Sequence, residues 1–81
     1  MKDKTTPEQC ARHILRLIVG HFHAQPGRVL SDASLLRVFS SDGWDEASYE
    51  PGRLYATDCG WLSPACDSVT LTKAGYAAAF A

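Results

Sequence analysis

One long amphipathic segment, residues 7–22, dominates this 81-residue chain, so the remaining elements have to pack around it. Thr6-Pro7-Glu8-Gln9 predicts the start of a helix, because the threonine can cap a free backbone N–H, proline suits the first helical position and Gln9 can complete a capping box. One face of this helix is apolar and carries Ala11, Ile14, Leu15, Ile18 and Phe22, widened by Leu17 and Val19. We expect Gln25-Pro26-Gly27 to end it.

Two further helices are expected in the middle of the chain. After a short bridging strand at residues 28–30, Ser31 reads as an N-cap. The core residues expected of this second helix are Leu35, Leu36, Val38 and Phe39. Residues 40–43 form a turn, and a third helix is predicted over about residues 48–58, ended by Gly60 in a left-handed conformation. Its predicted buried residues are Leu54, Tyr55 and Cys59.

The C-terminal part of the chain predicts a hairpin and a last helix. Trp61-Leu62 is expected to pair with Val69-Thr70-Leu71, and Thr72 to cap a helix that runs from Lys73 to about Phe80. Trp61 is expected to support the core or the hairpin. The sequence therefore predicts one domain over residues 1–81, of the α+β class and mainly α, with a three-helix core, a small β-hairpin and a short C-terminal helix.

This order of elements, together with two short motifs, resembles the winged helix-turn-helix family. The motifs are Gly60-Trp61-Leu62 at the end of the third helix and Leu71-Thr72-Lys73-Ala74-Gly75 at the start of the last one. The resemblance covers roughly residues 7–80 and implies a winged helix, with the hairpin as the wing. It also implies a third helix that lies in the major groove of DNA.

The charges of this chain depart from that family pattern. Residues 1–40 hold six Lys and Arg against three acids, whereas residues 41–81 hold two against six. Between Asp42 and Ser68 the only cation is Arg53, and the hairpin connection has none. A typical DNA-binding protein makes about 6–10 phosphate contacts, which this half of the chain lacks the cations to supply. Insertion of the third helix into a DNA groove is therefore disfavoured.

Two binding functions remain open. In the first, the acidic third helix binds a protein partner with a basic surface, or a second copy of the chain. The residues expected at that interface are Trp44, Asp45, Glu46, Tyr49, Glu50 and Arg53, with Trp44 and Tyr49 as exposed aromatic anchors. Trp44 has a second interpretation, in which it packs back over the second helix.

In the alternative, the chain is a DNA- or RNA-binding transcriptional regulator that contacts nucleic acid through the first two helices. The cations expected to do so are Arg12, Arg16, Arg28 and Arg37. Arg12 and Arg16 lie one turn apart on the first helix, so they can equally form a solvated flank.

Other functional classes find little support. Cys10 and His13 share a helix face, but the wide separation of Cys59 and Cys66 disfavours zinc, so buried thiols, surface imidazoles and no cofactor are expected. His21 and His23 flank a core phenylalanine rather than form a pH sensor. We find no catalytic trio and no phosphate loop, so neither an enzyme nor a small-molecule substrate is expected. The polar start and short apolar runs predict a cytoplasmic protein with no membrane contact.

Overall fold

The computed structural model describes residues 6–80, which form four α-helices and a three-stranded antiparallel sheet. The helices are α1 (Pro7–Arg16), α2 (Asp32–Ser41), α3 (Tyr49–Asp58) and α4 (Lys73–Ala79). The strands are β1 (Val29–Ser31), β2 (Leu62–Pro64) and β3 (Ser68–Leu71). A π-helical turn (Leu17–His21) extends α1, and a 3-10 turn (Glu46–Ser48) leads into α3. The predicted α+β class is confirmed.

The capping residues that set the helix starts were predicted correctly. The backbone N–H of Gln9 donates to Thr6 Oγ1 at 3.2 Å, and the Gln9 side chain accepts from the Thr6 N–H at 3.0 Å. Ser31 caps α2 and Thr72 caps α4 in the same manner. These side chains satisfy backbone donors that the first helical turn leaves free, which fixes where each helix begins.

The first helix ends earlier than the sequence predicted. Its last turn is a π-turn in which the Phe22 N–H donates to the Leu17 carbonyl at 3.1 Å, five residues back. His23 then takes a left-handed φ of 54°, before the expected stop at residues 25–27. The wider turn brings both Leu17 and Ile18 into the core.

The sheet consists of β1, which directly precedes α2, and the two strands of the hairpin. Its strand order is β1-β3-β2, with Leu30 opposite Val69 and Leu62 opposite Leu71. The hairpin and the short first strand were both predicted, although their pairing into one sheet was not. Pro64 lies in the edge strand β2, where proline is tolerated because its missing N–H need not donate to a neighbouring strand.

One core fills the space between α1, the sheet and the other helices. Its side chains with less than 2% exposure include Phe39, Ile14, Leu15, Ile18, Leu35, Val69 and Leu71.

Within residues 6–80, no helix has the length and apolar character that a bilayer crossing requires.

The buried face of α3 differs from the predicted one. Leu54 is 51% exposed, Cys59 is exposed and Tyr55 is only partly buried. The residues that α3 buries are instead Tyr49, Gly52 and Ala56. Small residues are needed here because α3 lies directly against α1: a Cβ on Gly52 would stand 2.6 Å from the Cβ of Cys10. The close contact of the two helices, rather than hydrophobicity, sets which face is buried.

Candidate functional site

The outward face of α3 carries a line of acidic side chains around one leucine. Glu50, Leu54 and Asp58 follow one another at four-residue spacing on α3, Glu46 lies four residues earlier in the 3-10 turn, and all four are exposed. Residues at this spacing lie along one ridge of a helix surface, so we call this set the acidic ridge. Within residues 6–80, no cation lies in ion-pair contact with its three carboxylates.

Arg53, the cation closest to the ridge in sequence, is held by an internal ion pair. Its Nε lies 3.1 Å from Oδ1 of Asp32, and its side chain is only 14% exposed. Tyr49 donates its hydroxyl to the same carboxylate oxygen at 2.8 Å. Burial and, after it, the Asp32 carboxylate raise the pKa of Tyr49 above its usual range, which keeps the phenol neutral. The positive charge of Arg53 is therefore compensated inside the fold.

The hairpin loop lies beside α3 and adds no positive charge. Arg53 Nη2 donates to the Ala65 carbonyl at 3.4 Å, and the Asp32 N–H donates to the Asp67 carbonyl at 3.0 Å. The exposed Asp67 side chain adds a further carboxylate on this loop. The hairpin loop therefore adds a carboxylate, and no cation, near Arg53.

The six residues predicted to bind a protein fall into two groups. Glu46 and Glu50 are exposed on the ridge, and Asp45 is exposed while its carboxylate caps the Ala47 N–H at 3.0 Å. Tyr49, in contrast, is 6% exposed, so its prediction as an exposed anchor is wrong. The Arg53 guanidinium donates a hydrogen bond to Asp32, so it is largely unavailable to a partner.

Trp44 packs back onto the fold, as the second of its two interpretations predicted. Its ring stacks on the imidazole of His13 with centroids 4.2 Å apart and an interplanar angle of 10°. The Trp44 ring also packs against the ring of Phe39 on α2, with ring centroids 5.4 Å apart. The tryptophan is half-buried and fixes the connection between α2 and α3.

The four arginines predicted to contact nucleic acid are in different surroundings. Arg12 pairs with Glu8 at 3.2 Å and lies 5.4 Å above the ring of Trp61, so that it supports the half-buried tryptophan. Arg16, Arg28 and Arg37 are exposed and have no acidic partner in contact among residues 6–80. They lie on three separate elements: α1, the residue before β1, and α2.

A shallow groove lies where the end of α1 meets α2. It has a volume of about 280 Å³ and is lined by Phe22, Ala33, Ser34, Arg37 and Val38. We call it the α1–α2 groove. Two of its side chains, Phe22 and Val38, are partly buried and apolar, while Arg37 brings a charge to its wall.

The cysteines and histidines do not gather into a metal site within the described part of the chain. No group of three or more His, Cys, Asp or Glu residues there is placed to hold a metal ion. Cys10 is buried, which raises the pKa of its thiol, but Cys59 and Cys66 are exposed and correct the expectation of buried thiols. His13 is also partly buried, whereas His21 and His23 are exposed.

His13 is held neutral by its surroundings. Its Nε2 is buried and lies 3.1 Å from Asp42 Oδ2. Burial lowers the pKa of His13 below its usual 6.5 and outweighs the attraction of Asp42. The unfolded chain therefore takes up a proton at a higher pH than the folded one.

This difference predicts a pH dependence of stability. Because protonation favours the unfolded chain, the free energy of unfolding should fall as pH drops below about 6.5 toward the lower folded-state pKa of His13. One proton contributes at most about 1.4 kcal/mol per pH unit. We expect urea unfolding at pH 7.5, 6.5 and 5.5 to show this loss in the wild type and a smaller loss in His13→Phe. Parallel pH profiles of the two proteins would contradict the assignment.

Two features of this site were missed by sequence reasoning. Leu54 was placed in the core, although its position four residues after Glu50 and before Asp58 was visible in the sequence. The contacts of Asp32 join residues 17 and 21 positions apart, and no local pattern signals them.

Comparisons of the chain with protein-family models, curated proteins and solved structures found no match.

Proposed function

We propose that this chain is a small, non-enzymatic winged-helix binding module whose acidic ridge on α3 binds a protein partner with a basic surface. The helix order, the hairpin after α3 and the closing helix agree with a winged-helix arrangement. The partner's lysines or arginines would meet Glu46, Glu50 and Asp58, and an apolar side chain would meet Leu54.

The observation that carries this proposal is the internal pairing of Arg53. A helix that enters a DNA groove needs free cations or amides at its surface, and α3 offers Arg53 as its single cation. Since Asp32 engages that guanidinium, the exposed charges of α3 are all carboxylates. At physiological salt they would repel phosphates over a distance of about 8 Å. The same charges favour a basic protein surface.

Nucleic-acid binding is the second candidate, and the exposure of Arg16, Arg28 and Arg37 favours it. These three side chains have no carboxylate in contact among residues 6–80. By themselves these three arginines are fewer than the roughly 6–10 phosphate contacts of typical DNA-binding proteins, and they lie on separate elements. This candidate therefore ranks below protein binding.

The proposal predicts that charge reversal on the ridge abolishes partner capture. Immobilised wild-type protein should retain at least one basic protein from a lysate of its native host, identified by mass spectrometry and then confirmed with the purified partner. Glu46→Lys/Glu50→Lys should lose it, because the reversed charges repel the partner surface. A 10-fold or greater weakening corresponds to about 1.4 kcal/mol.

The control is Glu8→Lys, which reverses one exposed acid on α1, outside α3, and removes its ion pair with Arg12. It should retain the partner, and circular dichroism should show all variants folded. Equal capture by the ridge variant and the wild type would overturn the proposal. A mobility shift of duplex or single-stranded probes that weakens with salt and is lost in Arg16→Ala/Arg37→Ala would instead support the second candidate.

A further inference from the structure

The α1–α2 groove has room for one apolar side chain. Its volume of about 280 Å³ is at the lower limit of small-molecule pockets, which span roughly 300–1,000 Å³. Phe22, Ala33 and Val38 give it an apolar wall, Ser34 and Arg37 give it a polar one, and Arg37 adds a positive charge. A leucine-sized group with a carboxylate nearby would complement both.

The acidic ridge offers that combination. Leu54 is 51% exposed in the middle of α3, so its side chain is available to a partner. Glu50 and Asp58 lie one turn before and after it, each about 6 Å away along the helix axis. A leucine between two carboxylates is complementary to an apolar groove with an arginine on its wall.

We propose that the ridge of one copy docks into the α1–α2 groove of a second copy, so that the chain associates head to tail. Leu54 enters the groove between Phe22 and Val38, and a ridge carboxylate pairs with Arg37. This inference rests on the proposed function and makes a second copy of the chain one partner of the ridge, with Arg37 as the cation that the ridge meets.

The placement of the two surfaces determines the form of the assembly. Ridge and groove share no residue, so one copy can offer both at once. Such an interface is heterologous and builds chains or rings rather than a closed symmetric dimer. The net charge of −1 gives little overall repulsion between copies.

Sedimentation equilibrium of the full chain tests this. Over concentrations up to about 1 mM, the weight-average mass should rise above that of the monomer. The rise should weaken when salt increases from about 0.1 to 1 M, which shortens the Debye length from about 10 to 3 Å. A monomer at every concentration in low salt would overturn the inference.

Two variants each disable one of the two surfaces, the ridge or the groove. Leu54→Asp removes the ridge's apolar group, and Ala33→Trp fills the groove; both positions are exposed, so the fold should persist. Each variant alone should be monomeric, and thermal unfolding should confirm that each is folded. Arg37→Glu is a second groove variant, in case the tryptophan disturbs α2.

An equimolar mixture of Leu54→Asp and Ala33→Trp should form a dimer and stop there. The intact ridge of one variant fits the intact groove of the other, and no further copy can add. If the wild type associates but the mixture stays monomeric, the interface is not head to tail and the inference is overturned.

Failure of this inference is distinguishable from failure of the proposed function. The Ala33→Trp protein keeps its ridge and should still capture a different basic partner. A monomeric wild type with ridge-dependent capture would remove only the self-association. Capture that ignores ridge charge reversal would remove the proposed function.

Discussion

Replacement of Gly52 by alanine is expected to lower the free energy of unfolding by about 1–2 kcal/mol, although alanine favours helices. The new Cβ would lie 2.6 Å from Cys10 Cβ and 3.1 Å from the Ala11 nitrogen, so α1 and α3 must move apart. Overpacking of this kind costs about 1–3 kcal/mol, and the helix preference of alanine offsets up to about 1 kcal/mol. In thermal unfolding, this corresponds to a fall in Tm of about 5–15 °C.

Gly20→Ala is the matched control for this substitution. Gly20 lies in the π-turn with no atom within 4 Å of an added Cβ. The same chemical change should therefore leave stability unchanged or raise it by up to about 1 kcal/mol. Equal effects of the two substitutions would show that the contact between α1 and α3 does not limit the size of residue 52.

The elements that sequence reasoning predicted correctly are those with local physical causes. Thr6, Ser31 and Thr72 cap the helices that follow them, because each side chain needs only a backbone N–H three residues away. Gly60 takes the left-handed φ of 78° expected after α3 for an equally local reason. Such signals are complete within a few residues of sequence.

The errors concern features that depend on a neighbour in space. Leu54 and Cys59 were expected in the core by hydrophobicity, but α1 approaches the side of α3 that carries Gly52 and Ala56. The acidic part of the candidate site was visible from charge alone. Its apolar centre, Leu54, and the neutralisation of Arg53 by Asp32 required the tertiary structure. The corrected site is more uniformly acidic than the sequence implied.

Replacement of Asp32 by alanine is expected to lower the free energy of unfolding by about 2–3 kcal/mol. Its carboxylate accepts from Tyr49 at 2.8 Å and from Arg53 at 3.1 Å, and both partners are largely buried. Removal of one member costs about 3–5 kcal/mol in a buried ion pair and at most about 1 kcal/mol in an exposed one, and the 27% exposure of the Asp32 side chain places this pair between the two. Urea unfolding at pH 7 measures the loss.

Asp32→Asn separates the contribution of the Tyr49 hydrogen bond from that of the Arg53 ion pair. The amide oxygen of asparagine still accepts from the Tyr49 hydroxyl, while the ion pair is lost. We expect an intermediate cost of about 1–2 kcal/mol. A double-mutant cycle with Tyr49→Phe should show that this change costs about 1 kcal/mol in the wild type and nearly nothing beside Asp32→Ala. An Asp32→Ala loss below about 1 kcal/mol would contradict the compensated state of Arg53. The guanidinium would then be available to partners, and the uniform negative charge of the acidic ridge would no longer follow.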